Sequence, residues 1–125
     1  MSFEISRKFR FEAAHRLPHA PEGHKCRRLH GHSFEVTVTV VGPLREAEGW
    51  VCDFADLATA WGPLYEELDH TYLNEIPGLE NPTSELLAGW IWERLATALP
   101  SLASVEVAET CTTRCVYRGG SVRRA

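Results

Sequence analysis

Hydrophobic and polar residues alternate in two long stretches near the start of the chain. In Phe9-Arg10-Phe11-Glu12-Ala13-Ala14-His15 the apolar parity of Phe9, Phe11 and Ala13 runs on to His15, and in Ser33–Val41 Phe34, Val36, Val38 and Val40 share one face. The pattern predicts a strand from about Phe3 to His15 paired in a ribbon with a strand from Ser33 to Val41, which ends at Gly42-Pro43. The loop between them, Leu17 to Leu29, holds Pro18, Pro21 and Gly23. After a polar turn at Arg45–Gly49 the period changes. Asp53 can cap a helix with apolar positions Phe54, Leu57, Ala58, Trp61, Leu64, Tyr65 and Leu68, kinked or restarted at Pro63. Asn74–Pro82 reads as loop. A second helix then starts at Pro82 or Thr83, carries Leu87, Trp90, Ile91, Leu95, Ala98 and Leu99, and stops at Pro100. Ser104–Thr110 is a third strand with Val105 and Val107 inward, and Cys115-Val116-Tyr117 a fourth. Two strands, two helices and two strands predict an α+β domain, a four-stranded antiparallel sheet with both helices on one face.

Composition narrows this picture. The chain has 125 residues, 44% of them hydrophobic, enough for one core and too few for two ordinary domains. Residues 1–118 are expected to form that single domain, with 119–125 a frayed, Gly- and Arg-rich tail. The start has no basic, apolar leader and no segment reaches membrane-spanning length, so a cytoplasmic protein without a membrane partner is expected. A net charge of −4 argues against a nucleic-acid binder. Four cysteines, Cys26, Cys52, Cys111 and Cys115, form no paired knuckles and no dense disulfide framework.

The candidate chemistry is concentrated between His24 and His32, reading His-Lys-Cys-Arg-Arg-Leu-His-Gly-His. His30 and His32 share the inward parity of the strand that follows, and His15 is inward on the first strand. Three neutral imidazoles are a common catalytic zinc set, because they leave a fourth position open. Cys26 either completes a closed, structural site or stays unbound beside the metal as an acid or base, its thiolate favoured by Lys25, Arg27 and Arg28. That basic trio can also meet an anionic substrate. Glu109 continues the buried parity of Val105 and Val107, which is costly unless it binds something. Asp69-His70, just past the first helix, is either a surface turn or part of a site.

Taken together and in this order, the motifs Phe9–His15, Cys26-x3-His30-Gly31-His32, Asp53-Phe54, Leu68-Asp69-His70, Asn81-Pro82-Thr83-Ser84-Glu85 and Glu109-Thr110 resemble the 6-pyruvoyl-tetrahydropterin synthase family over nearly the whole chain. Within it the three-residue gap between Cys26 and His30 is most similar to the bacterial 6-carboxy-5,6,7,8-tetrahydropterin synthases of queuosine biosynthesis. The resemblance implies a tunnelling fold whose sheets join between subunits into a β-barrel, as a trimer or dimer of trimers with active sites between subunits. It implies Zn2+ on His15, His30 and His32, Cys26 as catalytic acid/base, Asp69 and His70 as relay partners, and Glu109 as pterin anchor. Thr83, Ser84 and Glu85 would line the pterin pocket. The implied reaction is a carbon–carbon lyase step, from 7,8-dihydroneopterin triphosphate to 6-carboxytetrahydropterin, acetaldehyde and triphosphate. The sister activity, which eliminates triphosphate and keeps the carbon chain, is the alternative. A non-catalytic zinc- or pterin-binding module closed by Cys26 is a third reading.

Overall fold

The computed structural model describes residues 2–120. Strand β1 (Phe3–His15) pairs antiparallel with β2 (His30–Gly42) along its full length, placing Phe11 opposite Phe34, Ala13 opposite His32 and His15 opposite His30. Opposed residues in such a ladder project to the same face, so the ribbon has an apolar face that turns into a histidine face at one end. Helix α1 (Phe54–Leu68) follows, then β3 (Thr71–Tyr72), helix α2 (Ser84–Ala98), β4 (Leu102–Ala108) and β5 (Cys115–Tyr117). The sheet order is β3-β1-β2-β4-β5.

The expectation of four antiparallel strands needs one correction. A fifth strand, β3, runs parallel to β1 beside Ala13 and Ala14. Two residues are too few to show any alternation, so only the fold reveals it. The other strands and both helices are present, with β2 starting three residues before the expected Ser33 and β4 covering Leu102–Ala108 rather than Ser104–Thr110. Leu57, Leu68, Leu87, Ile91 and Leu95 of the helices are fully buried over Phe34, Val36, Val38, Val105 and Val107 of the sheet. Each such side chain contributes about 1.5–3 kcal/mol relative to exposure.

Pro63 neither breaks nor restarts α1, which runs unbroken through it. Thr59, whose carbonyl loses its helical partner, lies on the exposed side with Pro63, so water can satisfy it. Buried Leu57, Trp61, Leu64 and Leu68 hold the opposite face in place. Both helices have the side-chain caps their sequences suggest: Asp53 Oδ1 accepts from Ala55 N–H at 2.9 Å, and Thr83 Oγ1 from Leu86 N–H at 3.2 Å. Thr83→Ala therefore costs about 1 kcal/mol, and a thermal melt is expected to shift down by about 4 °C.

The face of the sheet away from the helices is polar, with ion pairs from Lys8 to Glu35 at 3.3 Å and from Arg114 to Glu106 at 3.3 Å. Beyond Ala13 and Ala14, the edge of β1 opposite β2 has no strand partner among the described residues. Such an edge invites pairing with another chain. Among the described residues no helix is long and apolar enough to cross a membrane.

Candidate active site

The ends of β1 and β2 bring three imidazoles together. His15 is buried, with its ring 4.6 Å from that of His30 and 5.1 Å from that of His32, and the three ligand atoms lie within 4.8 Å of one another. Each Nδ1 faces a backbone carbonyl: Pro82 O at 3.1 Å for His15, Arg28 O at 2.8 Å for His30 and Ser33 O at 2.9 Å for His32. A carbonyl only accepts, so each Nδ1 carries a hydrogen, and in the neutral ring each Nε2 is the free ligand atom. Burial lowers the pKa of His15, which also favours the neutral, ligating form. The Phe34 ring closes the floor, 5.2 Å from His15 and 4.3 Å from His32.

His15 Nε2 and His32 Nε2 are 3.3 Å apart. Neutral rings with Nδ1–H toward the carbonyls would aim both lone pairs at the same point, an arrangement suited to a shared cation. The donor set thus fits a metal ion, and His15, His30 and His32 form a cluster able to hold one.

Glu109 lies one residue past the end of β4 and turns toward this cluster. Its Oε1 is 3.4 Å from His15 Nε2 and 3.2 Å from His32 Nε2, and its Oε2 accepts a short hydrogen bond from Ser84 Oγ. The inward parity read for Glu109 thus leads to the predicted neighbourhood. The three residues expected around the pterin divide. Ser84 touches Glu109, Thr83 is occupied as the α2 cap, and Glu85 is exposed, close enough to Cys115 to join burial in raising that thiol's pKa.

Cys26 sits in a single 3-10 turn, Lys25–Arg27. The turn is fastened on three sides: Cys26 N–H donates to His24 Nδ1 at 3.0 Å, Cys26 O accepts from Leu17 N–H at 2.7 Å, and Arg27 Nη1 donates to Ala20 O at 2.9 Å. Arg27 therefore staples the loop, although it is exposed like Lys25 and Arg28. His24 had no assigned role in the sequence. Its position two residues before Cys26 is the only signal that marks it as a cap.

Asp69 caps the end of α1, and His70 follows with φ 56°. Asp69 Oδ1 accepts from Glu12 N–H at 2.9 Å, and Oδ2 accepts from His70 Nδ1 at 2.7 Å. The Glu12 amide first and His70 second hold the Asp69 carboxyl below its ordinary pKa. The His70 ring is exposed and lines a groove of about 530 Å³ with Glu12, Ala14, Gly31, Ser33 and Tyr72. Ala13 and His32 line it as well, so residues of both parities meet in this groove beside the end of the ribbon. Among the described residues no hydrogen bond joins Cys26 to Asp69 or His70. A larger cleft of about 1010 Å³ lies between the helices, past Cys52, Leu64 and Leu99, and contains none of these residues.

The profile of the 6-pyruvoyl tetrahydropterin synthase family matches residues 4–120. The 6-carboxy-5,6,7,8-tetrahydropterin synthase of Synechocystis is 50% identical over 119 residues, covering 90% of this chain and 91% of its own. The protein of the same name from Bacillus subtilis is 32% identical, covering 94% and 86%. The solved 6-pyruvoyl tetrahydropterin synthase of Caenorhabditis elegans superposes with a TM-score of 0.88 at 25% identity, over 96% of this chain and 97% of its own. With a matching profile over nearly its whole length, the chain belongs to the 6-pyruvoyl tetrahydropterin synthase family.

Proposed function

We propose that this chain is a zinc-dependent 6-carboxy-5,6,7,8-tetrahydropterin synthase, serving queuosine biosynthesis. It takes 7,8-dihydroneopterin triphosphate and one water to 6-carboxytetrahydropterin, acetaldehyde and triphosphate. The observation that carries the reading is the convergence of three imidazole lone pairs beside Glu109, in a chain half identical to a synthase of that name. His15, His30 and His32 hold the ion, and an all-imidazole set of three with a further open position suits zinc. Bound there, zinc supplies a Lewis acid that lowers the pKa of the substrate's side-chain hydroxyls.

The chain's own residues do the rest. Glu109 accepts hydrogen bonds from the aminopyrimidinone edge, which fixes the ring and compensates its own partly buried charge. Ser84 orients that carboxylate, as its contact with Oε2 supports. Cys26 Sγ takes a proton from the substrate side chain, and the bonds that fasten its turn hold it in one place for that transfer. Asp69 holds the His70 Nδ1 hydrogen, which leaves Nε2 free to relay the proton. Lys25 and Arg28 meet the triphosphate; Arg27 serves the loop.

Within the described residues no hydrogen bond joins the Asp69-His70 pair to Cys26. A relay to Cys26 is then completed between chains. Together with the unpaired β1 edge this supports a homo-oligomer, a trimer or a dimer of trimers, whose sheets join into a barrel and whose sites lie between subunits.

Chelator-stripped protein is expected to release no acetaldehyde from 7,8-dihydroneopterin triphosphate, and one equivalent of zinc per chain to restore it. Release measured by a coupled NADH assay checks this. Undiminished release from the stripped protein would sink the proposal.

A further inference from the structure

The loop that carries Cys26 hangs from the body of the domain by its two ends. Among the described residues, the hydrogen bonds of Leu17–Arg28 run from one loop residue to another, with the single exception of Arg28 O, which faces His30 Nδ1 at the start of β2. Cys26 O accepts from Leu17 N–H at 2.7 Å, so the place of the thiol depends on where the chain leaves β1. A unit stitched to itself in this way swings as one piece unless its base is held.

Asn74 holds that base. Its Oδ1 accepts from Arg16 N–H at 3.0 Å, and its Nδ2 donates to Arg16 O at 2.8 Å and to Glu80 O at 3.2 Å. Both polar backbone groups of the residue before the loop are thus taken by one carboxamide. β3 pairs with β1 only as far as Ala14, and the Asn74 side chain supplies a further rung beyond it. An amide suits this place because it presents a donor and an acceptor side by side, as a peptide group does; a carboxylate has no donor. The mount is firm. Asn74 lies in the 3-10 turn Leu73–Glu75, whose Leu73 is fully buried, as is Leu79 further along the same segment.

We propose that Asn74 is a positioning residue for Cys26, acting through Arg16 and Leu17. The inference rests on the proton-transfer role given to Cys26 above and deepens it. Two bonds from Asn74 fix the peptide groups of Arg16, and Leu17 N–H passes that position on to Cys26 O. A displacement of about 1 Å at a reacting group costs about a hundredfold in rate, so an anchor acting at one remove still governs kcat.

The test compares Asn74→Ala and Asn74→Asp with the wild type. Aspartate keeps the size and the acceptor and removes both Nδ2 bonds. Limited digestion with trypsin, read by peptide mass spectrometry, sets cleavage after Lys25, Arg27 and Arg28 in the loop against cleavage after Arg114, an exposed residue in the turn between β4 and β5. In both variants the ratio of loop to Arg114 cleavage is expected to rise about fivefold, and kcat to fall about tenfold or more, with zinc content unchanged. A general loss of stability raises both cleavages together and leaves the ratio where it was. A ratio within about twofold of wild type in both variants, or a wild-type kcat despite a loosened loop, would overturn the inference. Cleavage is read without substrate, so a wild type that releases no acetaldehyde overturns the proposed function while the ratio still decides whether Asn74 holds the loop.

Discussion

Cys26→Ala is expected to fold, bind zinc as the wild type does, and turn over at least a hundredfold more slowly. The reason is local. Cys26 lies on a 3-10 turn whose residues are not buried, and the bonds fastening that turn use its backbone, which alanine retains. Substitutions at such positions change stability by about 0.5 kcal/mol or less. The thiol is nevertheless the proposed proton acceptor, and a positioned acid–base group is worth about 10²–10⁴ in rate. Zinc content, a thermal melt and kcat measured on one preparation separate these effects. Zinc lost in parallel with activity would show that Cys26 is a ligand, and would favour the closed, structural site that the sequence alone left open.

The largest loss of stability is expected at Phe34→Ala. The ring is fully buried and stacks on Phe11 at 4.9 Å and an interplanar angle of 2°, and the imidazoles of His15 and His32 are its other aromatic neighbours. Truncating a buried phenylalanine costs about 3–5 kcal/mol, from lost transfer free energy and the cavity left behind. For a domain of this size that lowers the melting temperature by about 10–20 °C. Because the cavity opens beneath two of the three imidazoles, zinc affinity should fall as well. A melt within a few degrees of wild type would mean that the floor of the site collapses to refill the space.

How much was legible depended on the length of each signal. The alternation of Phe9, Phe11, Ala13 and His15, and of His30, His32, Phe34 and Val36, extends over enough residues to specify both strands and the shared inward face of the histidines. The helices were legible for the same reason, with Asp53 and Thr83 available as caps. β3 was not, because two residues carry no period and their pairing is created by the end of α1 meeting β1. β4 ends at Ala108, short of the predicted Thr110, so Glu109 leaves the ladder before it turns to the cluster. Within the site, side-chain identity indicated chemistry while backbone groups stayed invisible. Nothing in the sequence marks the carbonyls of Pro82, Arg28 and Ser33 as what aims the imidazoles, or the Glu12 amide as the partner of Asp69. Arg27 was grouped with two other cations by adjacency, and its hydrogen bond to Ala20 O separates it from them. The expected fraying from Gly119 onward falls for residues 121–125 outside the described part of the chain.

Product identity is the most direct test of the whole account. Zinc-loaded protein is incubated with 7,8-dihydroneopterin triphosphate, and the pterin and the released fragments are identified by mass spectrometry. The expected result is 6-carboxytetrahydropterin with equimolar acetaldehyde and triphosphate. A pyruvoyl pterin that retains the full carbon chain, with triphosphate and no acetaldehyde, would contradict it and assign the chain to the sister activity of the same family.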